Sequence, residues 1–255
     1  VHRAMRELDY HPNALARSLF SGKTKTIAFL VPAVSNPGFA KALHAVESEA
    51  YSRGYAVLVA NTEGAIDRAT SIARRLIEMR VDGVLVALTW ELARPPLLEL
   101  LLRNRVEVVG LSGGRPVPGI DCFLGDEKQA GYSLGRYLAG LGHQECAFIG
   151  PRDSAVCQLR LEGIRDGLAA FGGGIPEESV GLVDAYDHQA SRECVLTLLG
   201  YGTQPSAIVA FNDLMAIGVV SALGGQGIRV PEMVSVAAFG DHYACMTSPQ
   251  LTTMV

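Results

Sequence analysis

The stretch "AIVAFNDLMAIGVVSAL" (207–223) joins two patterns that together indicate a fold class. Its first five residues are a continuous apolar run, which is typical of a strand buried on both faces. From Asp213 onward the stretch is a helix candidate, and Asn212 stands where the strand would end and the helix begin. A buried strand followed directly by a helix is the repeating half of a βαβ unit with parallel strands. The stretch therefore predicts an α/β fold.

The same alternation extends along the chain from residue 27. Amphipathic segments separate six further apolar runs, and the pattern restarts after Gly150 and Pro151. Two similar halves fit this length better than one sheet of seven or more strands. Open α/β sheets bind ligands at the carboxyl ends of their strands, so we expect a small molecule in a cleft between the halves. The six runs are IAFLV (27–31), AVLVAN (56–61), GVLVAL (83–88), VEVVGL (106–111), CAFIG (146–150) and VSVAAF (234–239).

Helix signals lie between these runs. Asn36 can cap a first helix with Pro37 in its first turn, and Gly54 follows as a stop. Apolar residues at helical spacing predict a second helix, and two consecutive prolines open a third. The predicted helices after the first are residues 65–80, a segment after Pro95 and Pro96, and residues 159–171, 189–199 and 213–223.

The charge of the chain is unevenly distributed. The 255 residues are 49% hydrophobic and 19% charged, with a formal net charge of −4. Residues 1–26 contain five Lys or Arg residues against Glu7 and Asp9, so this segment carries +3 and the remainder −7. A basic front on an acidic body indicates that the front contacts a polyanion, although a solvated helix end would give the same charges.

Several classes of protein lack their signals in this sequence. The five cysteines form no C-x-x-C pair and no zinc-ligand spacing, which predicts reduced thiols and no metal site. No apolar run reaches the roughly 18 residues that span a bilayer, so we expect a cytoplasmic protein without a membrane segment. Dinucleotide, phosphate-loop, G-x-S-x-G and H-E-x-x-H motifs are absent, and the glycine-rich SGGRPVPG (112–119) reads as a surface loop. We therefore predict no enzyme, no catalytic residue and no cofactor.

A set of motifs in a fixed order resembles the lactose-repressor (LacI/GalR) family of bacterial transcription regulators. The resemblance implies two similar Rossmann-like subdomains with parallel sheets, as in periplasmic sugar-binding proteins, and a ligand cleft between them. It places a headpiece remnant, hinge helix and linker at 1–24, an N-terminal subdomain at 25–149 rejoined by about 251–255, and a C-terminal subdomain at 150–250. The motifs are AMRELDYHPNALARSL (4–19), SNPGFAKAL (35–43), RVDGVLV (80–86), GH (142–143), RLEGIRDGL (160–168), PSAIVAFNDLMAIG (205–218), VPEMVSVAAFGD (230–241) and SPQLTT (248–253).

The segment NALARSL resembles the family's hinge helix, which pairs with its twin and inserts a leucine into the minor groove of DNA. The resemblance assigns that role to Leu19, with Asn13, Ala16 and Arg17 as groove or phosphate contacts. An apolar wedge kinks the duplex while cationic neighbours neutralise phosphates; alternatively, Leu19 is buried on the body. Since only the last helix of a helix-turn-helix remains, around residues 1–8, we expect a chain trimmed at both ends that does not recognise an operator alone.

For the effector, the resemblance nominates Phe39, Arg160, Tyr186, Asn212 and Asp241. The guanidinium of Arg160 offers several donors in a fixed fork, suited to hydroxyl, carboxylate or phosphate groups. Its structural alternative is an ion pair with Asp184 or Asp213. Asn212 lies at the carboxyl end of a strand, where it could contact ligand, cap the following helix, or do both.

One departure from the family pattern concerns the effector. Relatives usually have G-F-D-D where this chain has Ala238, Phe239, Gly240 and Asp241, so the first aspartate, a common acceptor for effector hydroxyls, is replaced by Gly240. A sugar bound as in the relatives would lose a partner, at a cost of about 1–3 kcal/mol. Either the effector differs, Asp241 substitutes, or the pocket has lost its original ligand.

The sequence thus favours a homodimeric repressor whose DNA binding is biased by a small effector, such as a sugar. Its predicted partners are operator DNA, through the missing helix-turn-helix, the effector, and a second copy of the chain through residues 39–52. The alternatives are a periplasmic solute-binding protein of the same fold and an α/β enzyme. The identity of the effector, the operator and the direction of the response are not specified by the sequence.

Overall fold

The computed structural model describes Glu7, Phe20 and residues 22–89, 92–112 and 114–255. The chain divides into two compact units, residues 1–123 (the N-unit) and residues 124–255 (the C-unit). Each unit contains one five-stranded sheet in which all strand pairs are parallel. The predicted α/β class with two parallel sheets is confirmed.

The N-unit has the strand order β2-β1-β3-β4-β5. Each pair of consecutive strands from β1 to β4 is connected by a helix, as in repeated βαβ units. β5 is too short to show as an apolar run, and its position was not predicted. The elements are β1 (Thr26–Val31), α1 (Pro37–Ser52), β2 (Ala56–Asn61), α2 (Ile66–Glu78), β3 (Gly83–Ala87), α3 (Pro95–Arg103), β4 (Glu107–Leu111) and β5 (Asp121–Phe123).

The C-unit has the strand order β10-β9-β8-β6-β7 and begins with a helix. Helix α4 and strands β7 and β10 were not among the predicted elements. A short 3-10 helix precedes β7 and another precedes β10. The elements are α4 (Glu127–Gly140), β6 (Cys146–Pro151), α5 (Ala155–Ala169), β7 (Val180–Val183), α6 (His188–Gly200), β8 (Ala207–Ala210), α7 (Asp213–Gly225), β9 (Ser235–Phe239) and β10 (Thr252–Met254).

Polar side chains cap α1, α5, α6 and α7 at the carboxyl ends of the preceding strands, whereas α2 and α3 have no side-chain cap among the described residues. Asn36 accepts a hydrogen bond from the amide of Gly38 at α1, and Pro37 is the first helical residue, as predicted. Ser154, Asp187 and Asn212 accept from amides in the first turns of α5, α6 and α7. Such caps satisfy amides that have no intrahelical partner, so they fix the residue at which each helix starts.

The division between the units differs from the predicted boundaries. The break lies between Phe123 and Leu124, whereas the sequence placed it at 149/150. Helix α4 packs on α5, and β6 pairs with β7 and β8, so residues 124–149 belong with the second sheet. β10 pairs with β9 at the edge of that same sheet, and residues 252–254 therefore do not rejoin the N-unit.

Glycines allow the close packing of α4 on α5. A Cβ at Gly131 or Gly135 of α4 would collide with backbone atoms of α5. A Cβ at Gly163 or Gly167 of α5 would collide with backbone atoms of α4. Because packed backbones leave no room for relaxation, these four positions fix the distance between the helices. This distance sets which side chains meet at the start of α4.

Two features are absent from the part of the chain that the structure describes. No helix there is long and apolar enough to cross a membrane. The same residues contain no cluster of three or more His, Cys, Asp or Glu side chains that could hold a metal ion.

Candidate functional site

Arg160 of α5 is the centre of a polar network in the C-unit. Its Nε donates to Oε2 of Glu127 at 2.7 Å, and its Nη1 donates to the carbonyl oxygen of Phe211 at 2.7 Å. The side chains of Arg160 and Glu127 are 16% and 15% exposed, so the ion pair is largely shielded from solvent. Charge-assisted bonds in such surroundings hold a guanidinium in one orientation. Two of its five N–H donors are used in these bonds.

The ion pair of Arg160 has a different partner from the two that the sequence suggested. Asp184 instead pairs with Arg152 at 3.1 Å, and the carboxylate of Asp213 accepts backbone amides. Glu127 reaches Arg160 because it is the first residue of α4, directly after the capping residue Asp126, and α4 lies against α5 through their glycines. Arg160 therefore forms an ion pair, as one alternative held, but its partner is Glu127 and not Asp184 or Asp213.

Aromatic rings surround the guanidinium. The Cζ of Arg160 lies 4.3 Å from the ring centroid of Phe239 and 4.8 Å from that of Phe211. Tyr186 meets Phe211 edge to face, with the ring centroids 5.5 Å apart. Rings at these distances attract a cation and restrict its motion. The structure thus brings together Arg160 and Tyr186, two of the nominated residues, through Phe211.

Asn212 follows Phe211 and caps α7. Its Oδ1 accepts a hydrogen bond from the amide of Met215 at 2.9 Å. The capping role that the sequence offered is therefore present, and the residue is half-buried at the end of β8. Its neighbour Phe211 holds Arg160, so Asn212 lies beside the network.

Asp213 is a buried carboxylate that joins three segments. Its Oδ2 accepts from the amides of His242 at 2.6 Å and Tyr243 at 3.0 Å, and Oδ1 accepts from the hydroxyl of Thr253 at 3.3 Å. Only 2% of the residue is exposed. A buried carboxylate is retained where several donors satisfy it. Asp213 therefore fixes the loop that follows β9.

This loop contains Gly240, at the position where the family that the sequence resembles usually has an aspartate. Gly240 has φ +120°, a conformation that side-chain-bearing residues rarely adopt. A Cβ added there would lie 3.4 Å from Oδ2 of Asp213. An aspartate at 240 would thus combine backbone strain with a like charge close by. Asp241, the next residue, is exposed.

In the N-unit, Phe39 lies in the first turn of α1 and is half-buried. It packs against a small cluster of Phe29, Val31 and Ala87. At the carboxyl ends of β2 and β3, the buried atoms Oδ1 of Asn61 and Oγ1 of Thr89 have no hydrogen-bond partner within the described residues. Since buried polar atoms normally have partners, these two are candidates to bind a ligand or water.

The predicted DNA contacts cannot be compared with this geometry. Asn13, Ala16, Arg17 and Leu19 lie outside the described residues.

Sequence reasoning missed Glu127, Phe211 and Phe239. All three stand where an element begins or a strand ends: Glu127 opens α4, Phe211 follows β8 and Phe239 ends β9. The general rule that ligands bind at the carboxyl ends of parallel strands would have selected both phenylalanines. Glu127 had no such signal, because α4 itself was not predicted.

Two five-stranded parallel sheets, with polar and aromatic residues at their carboxyl edges, define the class of periplasmic-binding-protein-like ligand-binding domains. The family described as "Periplasmic binding proteins and sugar binding domain of LacI family" matches residues 24–254. The chain belongs to the LacI family of transcriptional regulators.

Similar proteins come from several bacteria. The chain is 32% identical to the HTH-type transcriptional repressor PurR of Aliivibrio salmonicida over 256 residues, covering 100% of the chain and 76% of PurR. It is also 32% identical to the ribose operon repressor of Escherichia coli K12, covering 100% of the chain and 77% of that repressor. Among solved structures, the complex of the regulator CelR with cellobiose has a TM-score of 0.82 and 27% identity, covering 99% of this chain and 76% of that one. These relatives do not favour a periplasmic solute-binding protein.

Proposed function

We propose that the chain is the effector-responsive part of a cytoplasmic transcriptional repressor without enzymatic activity. A small molecule binds at the carboxyl edge of the C-unit sheet and alters the affinity for operator DNA. The oriented guanidinium of Arg160, with three N–H donors beyond those used by Glu127 and Phe211, carries the proposal. Fixed donors bind a ligand without the entropic cost of ordering a long side chain.

The residues around Arg160 constrain the effector. Tyr186 is half-buried, and its ring suits the face of a sugar or another ring. Phe211 and Phe239 are only 8% and 3% exposed, so their role is to hold the guanidinium of Arg160. Gly240 offers no carboxylate, and the carboxylate of Asp213 is occupied by backbone amides. We therefore expect an effector held mainly by donation from Arg160 to its hydroxyl, carbonyl or ring-nitrogen acceptors. Asn212 and Asp241 are further candidate contacts in the C-unit. In the N-unit taken by itself, Phe39 and the polar atoms of Asn61 and Thr89 are separate candidates for ligand contact.

DNA binding is assigned to the basic front of the chain, in which Asn13, Ala16, Arg17 and Leu19 are the proposed contacts. Two copies would present two such segments, and a homodimer is therefore part of the proposal. Helix α1 is a suitable dimer surface because Ala50 is its single fully buried residue. The neighbouring edge strand β2 leaves Val59 45% exposed.

Ligand binding at Arg160 is tested with D-ribose, D-cellobiose and the nucleobase hypoxanthine, by calorimetry and thermal melting. At 100 times its dissociation constant, a bound ligand stabilises the fold by about 2.7 kcal/mol. That corresponds to a rise in melting temperature of about 5–10 °C for a chain of this size. Arg160→Ala should abolish the calorimetric signal. Arg229→Ala, which removes an exposed arginine in the segment before β9 and so away from this edge, should leave it unchanged. Equal binding by both variants would contradict the proposed site.

A further inference from the structure

The chain enters β1 through a group of hydrogen bonds to one carboxylate. Asp82 accepts from the amide of Thr24 at 2.7 Å and the hydroxyl of Thr24 at 3.0 Å, both at Oδ1. Its Oδ2 accepts from the amide of Lys25 at 3.1 Å. We refer to Thr24, Lys25 and Asp82 as the linker clamp. The hydroxyl of Thr24 shares its hydrogen between Asp82 and the carbonyl oxygen of Arg80, which is also 3.0 Å away, whereas the two amides bond to Asp82 alone. Two amide bonds to one carboxylate make the clamp stronger than a single neutral contact.

Further contacts fix Lys25 within the clamp. Its carbonyl oxygen accepts from the amide of Ala56 at 2.9 Å, and its Nζ lies 4.3 Å from the ring centroid of Tyr55. Lys25 has φ +54°, which is uncommon for a residue with a side chain. Such a conformation persists where the surroundings determine it strongly. The backbone at this position is therefore set by the N-unit rather than by local preference.

The clamp is attached to the interior of the N-unit sheet. Lys25 directly precedes β1, and Asp82 directly precedes β3, its neighbour in the sheet. The amide of Asp82 donates to the carbonyl of Thr26 at 2.8 Å, which joins the two strands at this point. Both strands begin here, so the clamp lies at the amino edge. The six residues of β1 separate it by about 20 Å from the carboxyl edge.

The clamp is close in sequence to the proposed DNA contacts. Thr24 is five residues after Leu19, so few residues separate the two. A rigid attachment can carry a change of the N-unit to the segment before it, whereas a loose tether cannot.

We propose that Asp82 is a positioning residue for DNA binding. Its carboxylate fixes the direction in which the segment before Thr24 leaves the N-unit, so that the DNA contacts follow the movements of β1 and β3. This inference rests on the proposed function, because it takes residues 13–19 to be the DNA contacts.

The clamp is tested first by amide hydrogen exchange at Thr24 and Lys25. In Asp82→Ala the exchange at both amides should become about tenfold faster or more, because both lose their acceptor. Asp82→Asn keeps one carbonyl acceptor and should show a smaller increase. The matched control is Asp121→Ala, which removes an exposed aspartate on the edge strand β5 and should leave exchange unchanged.

The positioning role is tested by the anisotropy of a labelled, mixed-sequence DNA duplex at low salt. Asp82→Ala should bind the duplex at least about fivefold more weakly than the parent chain. A melting temperature close to that of the parent would show that the body of the protein is intact. Asp82→Asn should fall between the two, and the Asp121→Ala control should match the parent.

Each contrary result has its own meaning. Unchanged exchange in Asp82→Ala would show that the clamp does not hold the segment. Faster exchange with unchanged DNA affinity would mean that the clamp stabilises only the backbone of Thr24 and Lys25, and it would overturn the positioning role. If the parent chain did not bind the duplex, the assignment of DNA contacts to residues 13–19 would fail. The positioning role would fail with it, while the exchange data would still decide whether the clamp exists.

Discussion

The two sheets share one strand order and differ in how their faces are covered. Counted along each unit, both place the second strand at an edge, followed by the first, third, fourth and fifth. In the C-unit one cluster of fully buried residues includes Phe148, Ile164, Leu168 and Val219. In the N-unit, the face under α1 has three fully buried residues among those described, Phe29, Val31 and Ala87.

The comparison shows that strand order does not determine helix burial. α7 buries seven of its thirteen residues, whereas α1 buries one of sixteen. An α1 face that is half-exposed and carries Phe39, Leu43 and Val46 is suited to a second protein surface. The C-unit holds its site residues on well-packed elements, which is the arrangement that fixes functional side chains most accurately.

The largest expected difference is in the cost of removing one leucine. Leu168→Ala in the C-unit should lower the free energy of unfolding by about 3–5 kcal/mol, because Leu168 is fully buried and the cavity cannot be filled. Leu43→Ala on α1 should cost about 1 kcal/mol at protein concentrations below the dimer dissociation constant, since in the single chain this side chain is only partly buried. Urea denaturation of both variants measures the difference. Equal losses would mean that the two faces are equally well packed.

A charge on α1 should disturb assembly more than folding. Val46→Arg should raise the dimer dissociation constant by at least about tenfold, because an interface core does not accept an unpaired charge. Met79→Arg is the control, because Met79 lies at the end of α2 and is 56% exposed. Sedimentation equilibrium compares the two variants. If Met79→Arg weakened the dimer and Val46→Arg did not, the dimer surface would not include α1.

The smallest expected effect is a pH dependence confined to the C-unit. Burial raises the pKa of the Cys157 thiol to about 12, with the positive charge of Arg160 opposing the shift, while the usual thiol pKa is 9.0. The folded state therefore favours the neutral thiol. Its contribution to stability is complete below pH 9 and is lost as the pH rises from 9 towards 12.

Between pH 8 and pH 10 the parent chain should lose about 1 kcal/mol more stability than Cys157→Ala. Cys245→Ala is the control because Cys245 is exposed, and its pH dependence should match the parent. Urea denaturation at the two pH values gives the comparison. A parallel decline in all three chains would show that the pKa of Cys157 is the same in the folded and unfolded states.

The fold was largely predictable because its strands are continuous apolar runs. The predicted runs near β1 and β8 coincide with strands whose residues are mostly or wholly buried. The short strands β5, β7 and β10 have three or four residues, too few for a pattern to stand out. The unit boundary was misplaced because α4 has polar and small residues where an apolar stripe was sought, and its packing depends on glycines.

The sequence predicted a residue of the candidate site only where that residue belongs to a motif shared with the family. Arg160 and Asn212 follow from the family motifs, and both lie at the carboxyl edge of the C-unit sheet. Their partners depend on three-dimensional proximity: Glu127 is 33 residues from Arg160, and Phe211 is 51 residues away. The role of Asp213 likewise depends on amides 29 and 30 residues further along the chain. No local pattern records such distances.

Each unit is one uninterrupted stretch of the chain, because β10 pairs within the C-unit and does not return to the N-unit. This continuity has a consequence during translation. The five strands described for the first sheet all precede residue 124, so they can pair with one another before the second unit is synthesised. The Asp213 carboxylate, in contrast, cannot accept from the hydroxyl of Thr253 until that residue has been added. The loop at Gly240 therefore completes its hydrogen bonds to Thr253 and Met254 only after strand β9 has already been made.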